Sequence, residues 1–253
     1  MPEWRPRRQT NVQLYTSLIT LNCKIPPLND VRTRQAISYA IDRERIVKNV
    51  VGSERAVIAR SLLPPGLQGY DPNVTGYLYD PSRARSLLRQ SNVPEGTVLE
   101  MLQTEVGTNQ EVLMILTENL KDVGIDLRVQ FLSPDTLQQA IETGKVPMRL
   151  TKWVADYPDP DNFLYVTFHS KNPALQTGFA NAEFDKLVEE ARLVADIRER
   201  VQLYQRAQKI WMQESPCIAL FHNRALVLHQ ENVQSCIPHF TQPILRLKKI
   251  WLS

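Results

Sequence analysis

Cysteine is scarce in this chain. Its 253 residues include three, Cys23, Cys217 and Cys236, with no Cys-x-x-Cys spacing. That excludes a zinc knuckle and a disulfide framework, and leaves buried free thiols as the expectation. No charge of one sign dominates: 30 basic and 27 acidic residues give a net charge of +3, far from the field a nucleic-acid binder carries, so nucleic acid is not an expected partner. No apolar run approaches the roughly 18 residues of a membrane span. Arg5, Arg7 and Arg8 cluster near the start, but Gln9-Thr-Asn-Val-Gln follows. A secretory leader needs an unbroken apolar stretch there, so no signal peptide is expected within this chain. Internal repeats, low-complexity tracts and Gly/Ser linkers are also lacking.

What is present is an alternation of strand and helix signals. Leu14 to Asn22 has strand composition and stops at Lys24-Ile-Pro-Pro. Asp30 can then cap a helix carrying Ile37, Ala40 and Ile41 on one face, and Asp42 a second, short one that Gly52 ends. Asp80 followed by Pro81 is a strong helix start, because proline at the first helical position has no N–H to waste. Thr97–Leu102, Asp126–Leu132 and Met148–Val154 read as strands, and Gln110–Val123 and Pro134–Thr143 as helices. Two further helices are expected over Ala182–Val194 and Ile197–Glu214, the latter burying Val201, Tyr204, Ala207 and Trp211. Pro216 breaks it, and Cys217–Leu228 reads as a buried strand. The pattern predicts an α/β fold with a mixed sheet flanked by helices.

The segment Trp153-Val-Ala-Asp-Tyr-Pro-Asp-Pro-Asp-Asn-Phe follows the carboxyl end of a predicted strand, where ligands bind in open α/β sheets. Its carboxylates are compatible with a metal site, a catalytic pair, an amine pocket or a solvated loop. An EF-hand is excluded by spacing, which puts Pro160 and Phe163 inside the loop and His169 and Ser170 near its end. His169 and His222 stand in no nucleophile or metal motif, and no cluster supports His222 or His229 as nickel ligands. Neither a metal, a cofactor nor an enzymatic activity is expected.

Several segments together resemble one family, the extracytoplasmic solute-binding proteins of peptide and nickel ABC importers, family 5. They are Pro26-Pro-Leu-Asn-Asp-Val-Arg-Thr-Arg-Gln-Ala-Ile-Ser-Tyr-Ala-Ile-Asp-Arg, Leu63-Pro-Pro-Gly-Leu, Tyr79-Asp-Pro, the Trp153 loop, Asn181-Ala-Glu-Phe-Asp-Lys-Leu and Arg200-Val-Gln-Leu-Tyr-Gln-Arg-Ala-Gln, in the family's order from about Tyr15 to Val233. The resemblance implies the second lobe of a type II periplasmic-binding-protein clamshell over residues 14–233, a remnant of the inter-lobe segment over 1–13, and a tail over 234–253 that in the family returns to the first lobe. It implies a partial chain without that lobe or a leader, for which a truncated gene, a split gene and an excised segment are open alternatives. The expected function is solute binding, of an oligopeptide or dipeptide, for an ABC importer in the periplasm or outside the cytoplasmic membrane. The partners would be a peptide or other amine-bearing small solute, an ABC permease, and a separate chain carrying the first lobe. A ligand-sensing domain of a transcriptional regulator, built on the same fold, is the alternative.

By the same resemblance Asp156 would pair with the α-amino group of the ligand, a charge-assisted contact strengthened where the ligand excludes water. Trp153 would offer an aromatic wall, with core packing as the competing role. Asp159, Asp161 and Asn162 are expected to cap the next helix and pin the turn. Some dipeptide binders carry an arginine in the stretch corresponding to Gln103–Asn109. None is present here, which leaves peptide length open. Arg149 and Lys152 are expected to be surface charges.

Overall fold

The computed structural model describes residues 7–241 except 108 and 172, together with 245 and 247–252. Six strands form one sheet: β1 (Arg7–Leu21), β2 (Ala56–Ile58), β3 (Thr97–Gln103), β4 (Ile125–Phe131), β5 (Met148–Val154) and β6 (Cys217–His229), in the order β2-β6-β1-β5-β3-β4. β3 runs parallel to β4 and β5, and the other pairings are antiparallel, so the sheet is mixed. A separate two-stranded ladder joins β7 (Val233–Gln234) to β8 (Trp251–Leu252).

Among the described residues eight α-helices flank the sheet: α1 (Val31–Ala40), α2 (Arg43–Ile46, continued by a π-turn over Val47–Val51), α3 (Pro81–Gln90), α4 (Gln110–Lys121), α5 (Pro134–Glu142), α6 (Pro160–Phe168), α7 (Ala182–Leu193) and α8 (Ile197–Glu214). Their starts are written in short polar residues: Asp30, Asp42, Asp80, Asn109, Ser133, Asn181 and Asp196 each accept a hydrogen bond from a first-turn N–H, removing one of the donors a helix start leaves unpaired.

Alternation along β1 builds two cores. Ile19 and Leu21 join Met101, Met148 and the apolar stripes of α1, α3 and α4 on one face. Leu14 and Leu18 join Phe163, Phe184, Tyr204 and Trp211 from α6, α7 and α8 on the other. Two arginines of the resembling segments lie inside these layers. Arg43 donates to the carbonyls of Ser38, Ile41, Tyr77 and Ala219, and Arg34 reaches Leu28 O and the Glu214 carboxylate.

Three departures from the sequence reading have physical causes. β1 begins at Arg7 rather than Leu14, because Arg7–Val12 pair with Arg224–His229. This polar stretch is a strand through its ladder and not through a buried face. The three-residue β2 carries too short a pattern to read. The helix over Pro160–Phe168, absent from the ranges read off the sequence, begins inside the Trp153 loop, with Pro160 in its first turn where no N–H is needed. The tail is held at Pro238–Phe240, whose carbonyls accept from Asn11, Gln13 and Leu14. Trp251 and Leu252 are exposed, while Ile244 and the Leu247 side chain lie outside the described residues.

Candidate functional site

β5 delivers the loop to the end of the sheet where β3 also terminates, and the Ala155 N–H bonded to Leu14 O holds its first residue against β1. Asp159 caps α6 by accepting from the Asp161 N–H at 2.9 Å, and both of its oxygens accept from Arg200 of α8, at 2.7 and 2.9 Å. That bidentate contact raises the Arg200 pKa, with partial desolvation opposing it. Asp161 is buried, accepts from the Tyr157 hydroxyl at 2.6 Å, and has Arg192 Nε 3.1 Å from Oδ1, close enough for an ion pair but not aligned as a hydrogen bond. The Tyr157 pKa is raised, first by burial and then by this carboxylate. Buried Asn162 accepts from Trp153 Nε1 at 2.9 Å.

The four polar groups of the loop therefore separate. Asp159, Asp161 and Asn162 are engaged by the fold, as the sequence predicts, whereas Asp156 is exposed and has no hydrogen bond or ion pair among the described residues. Trp153 is half-buried, packed against the α6–α8 core and fixed through its N–H. Nothing in the sequence signals the arginines that hold the loop, since they come from helices 31 residues (Arg192 to Asp161) and 41 residues (Arg200 to Asp159) further along.

Two cavities meet at Tyr15 and Lys152, and of the two only the smaller is lined by residues of the loop, Val154 and Ala155. One, about 400 Å³, is bounded by Gln103, Asn109, Leu137 and Arg149; the other, about 300 Å³, lies between Gln13, Val154, Arg224 and Phe240. The Lys152 ammonium stands 5.9 Å above the Tyr15 ring. Arg149 departs from the expected surface charge: it is half-buried, and desolvation lowers its pKa. A larger opening of about 810 Å³, between α1, α8 and residues 71–77, involves no residue of the loop.

The histidines serve the fold. His169 Nε2 meets Glu189 at 2.9 Å while its Nδ1 accepts from the Lys171 N–H, tying the end of α6 to α7. His222 is enclosed, with Nδ1 2.9 Å from the Thr16 hydroxyl, and desolvation pushes its pKa down to about 3. Among the described residues no three or more His, Cys, Asp or Glu side chains come together as a metal site would need. Asp159 and Asp161 spend their charge on arginines.

With this geometry in place, a family model described as bacterial extracellular solute-binding proteins, family 5 middle, matches residues 5–174. The chain is 29% identical to the di/tripeptide-binding protein 2 of Pseudomonas aeruginosa over 229 residues, 87% of this chain and 42% of that protein. It is 31% identical to the glutathione-binding protein GsiB of Salmonella typhi over 230 residues, 85% of this chain and 44% of that one. The solved structure of HbpA2 from Haemophilus parasuis superposes with a TM-score of 0.92 at 24% identity, over 98% of this chain and 50% of its own. At that identity the match speaks for the fold alone. The chain spans less than half the length of the curated relatives it matches.

Proposed function

Because the chain belongs to the bacterial extracellular solute-binding proteins of family 5, we propose that it supplies one lobe of a solute-binding cleft serving an ABC importer, with Asp156 receiving the amine of a peptide or other amine-bearing solute and Trp153 forming the wall beside it. The observation that carries this reading is the separation within the loop. Arg192, Arg200, Tyr157 and Trp153 occupy the other polar groups, leaving the Asp156 carboxylate without a partner among the described residues just past the carboxyl end of β5, next to Ala155, which lines the smaller cavity. Fixing the loop from behind is what a binding carboxylate needs, since little conformational freedom is then lost when the ligand arrives. The charge-assisted bond to an ammonium strengthens as the ligand displaces water.

The partners in this reading are the solute, met outside the cytoplasm, an ABC permease, and a further lobe that closes over the cleft. A small-molecule site buries about 70 to 90% of its ligand, and one lobe supplies one wall. A solute bound with micromolar strength by a complete cleft, about 8 kcal/mol, would retain a dissociation constant on the order of millimolar or weaker on this lobe.

NMR titration suits that range. Trialanine should shift amides of residues 155–157 and bind roughly tenfold more tightly than N-acetyl-trialanine, a difference that Asp156→Asn erases. Equal binding of the two peptides by the parent chain would show that Asp156 does not read an amine.

A further inference from the structure

The two edges of the sheet are built differently. β2 ends one side after three residues, whereas β4 ends the other with seven in unbroken register, Ile125–Phe131. Natural sheets blunt an outer strand with proline, a bulge, lysine or an inward-pointing charge. β4 has none of these. Ile125, Leu127 and Val129 pack on the core shared with α4, and Asp126, Arg128 and Gln130 are exposed on the opposite face.

The hydrogen-bonding groups of that edge follow from its pairing. The Gly96 N–H donates to Gly124 O and the Leu132 N–H to Gln103 O, so the even-numbered residues of β4 turn their backbone toward β3. Alternation then sends the N–H and C=O of Ile125, Leu127 and Val129 outward, where no group among the described residues bonds to them. Leu127 and Val129 are only half-buried there.

A second copy of the chain running antiparallel satisfies this edge, and the side chains choose the register. Odd residues must face odd ones for the hydrogen bonds to form. With Leu127 opposite Leu127 of the second copy, Ile125 meets Val129, and Asp126 stands opposite Arg128 in a close non-hydrogen-bonded pair, twice over by symmetry. The next permitted registers set Asp126 against Asp126 or Arg128 against Arg128, and like charges directly opposite are unfavourable. In the favoured register Arg128 lies between Asp126 of the second copy and Glu100, its neighbour on β3. Neither Asp126 nor Arg128 has an ion pair among the described residues.

We propose that β4 is a self-association edge, through which two copies join their six-stranded sheets across a two-fold axis. The pairing forms about six backbone hydrogen bonds and covers Leu127 and Val129. β3 separates β4 from β5, so the Asp156 loop is left uncovered and the association does not depend on what that loop binds.

Sedimentation equilibrium of the chain over a range of concentrations tests this. The mass should rise from the 29.1 kDa of one chain toward twice that value, and amide exchange at Leu127 and Val129 should slow as it does. Arg128→Asp sets Asp126 against an acid, and Asp126→Arg sets Arg128 against a base. Each should weaken self-association at least about tenfold, since two attractive pairs become repulsive. Both positions are exposed, and circular dichroism verifies that the fold is kept. Mixing the two variants then lets every acid meet a base, so the mixture should associate at least as tightly as the parent while neither variant alone does. A parent that stays at 29.1 kDa throughout leaves the edge to some other occupant and overturns the proposal. So does a dimer that both substitutions leave intact, which would lie on another surface such as exposed Trp251 and Leu252, or a mixture that associates no better than its components.

Discussion

Lowering the pH should destabilise this fold through one histidine. His222 sits on β6 at 1% exposure, opposite Thr16 of β1. The Thr16 hydroxyl donates its single hydrogen to Leu62 O at 3.1 Å, so it must accept from His222 Nδ1–H, and the ring is neutral with Nε2 bare. That nitrogen is enclosed with no partner among the described residues. A proton added there creates a charge with nothing to solvate it, which is why burial pushes the pKa down to about 3 from the ordinary 6.5. Between those values the unfolded chain binds a proton and the folded chain does not, so stability rises with pH across the window and falls as acid is added. It is intact above about pH 6.5. The loss reaches about 2 kcal/mol at pH 5 and about 4 kcal/mol near pH 3. His222→Asn retains a donor for Thr16 and removes the titration. Urea denaturation of both proteins at pH 7.5 and pH 5 isolates the effect, because every other ionisable group contributes equally to each pair. The variant should lose about 2 kcal/mol less than the parent on acidification. Equal losses would refute the assignment of the buried charge to His222.

Two further substitutions probe how the site is supported. Asp159→Asn keeps an acceptor for the α6 cap but breaks the bidentate pair with Arg200, and should cost about 1 to 2 kcal/mol by denaturation, with Asp159→Ala about 1 kcal/mol worse through loss of the cap; equal effects would mean that the cap contributes nothing. Arg43→Met should cost at least about 3 kcal/mol, because it strands the carbonyls of Ser38, Ile41, Tyr77 and Ala219 without a donor, and a midpoint unchanged in urea would show that those carbonyls find other partners.

Local chemistry was enough to read most of the elements from the residue order. A short polar residue before an apolar stripe stabilises a helix start through contacts within one turn, so α1 and α3 could be placed from Asp30 and Asp80 without knowing their neighbours. The same holds for Tyr204 and Trp211, whose spacing on α8 already put them on the buried side, and for Asp159, whose place before Pro160 marked it as a cap. Pairing was illegible where its energy came from elsewhere in the chain. Arg7–Val12 has no apolar alternation, and it becomes strand only because β6 lies alongside. The structural engagement of Asp159, Asp161 and Asn162 was expected from their residue types, but its cause, the arrival of Arg192 and Arg200 from α7 and α8, depends on helix packing that no local pattern encodes. Arg149 shows the limit most clearly. On β5 alone its exposure could not be judged, and by composition it passed for a surface charge. In the fold β5 lies between β1 and β3, Arg149 is half-buried and no carboxylate pairs with it among the described residues, because burial and electrostatic pairing are properties of what the folded chain brings together and not of residue order.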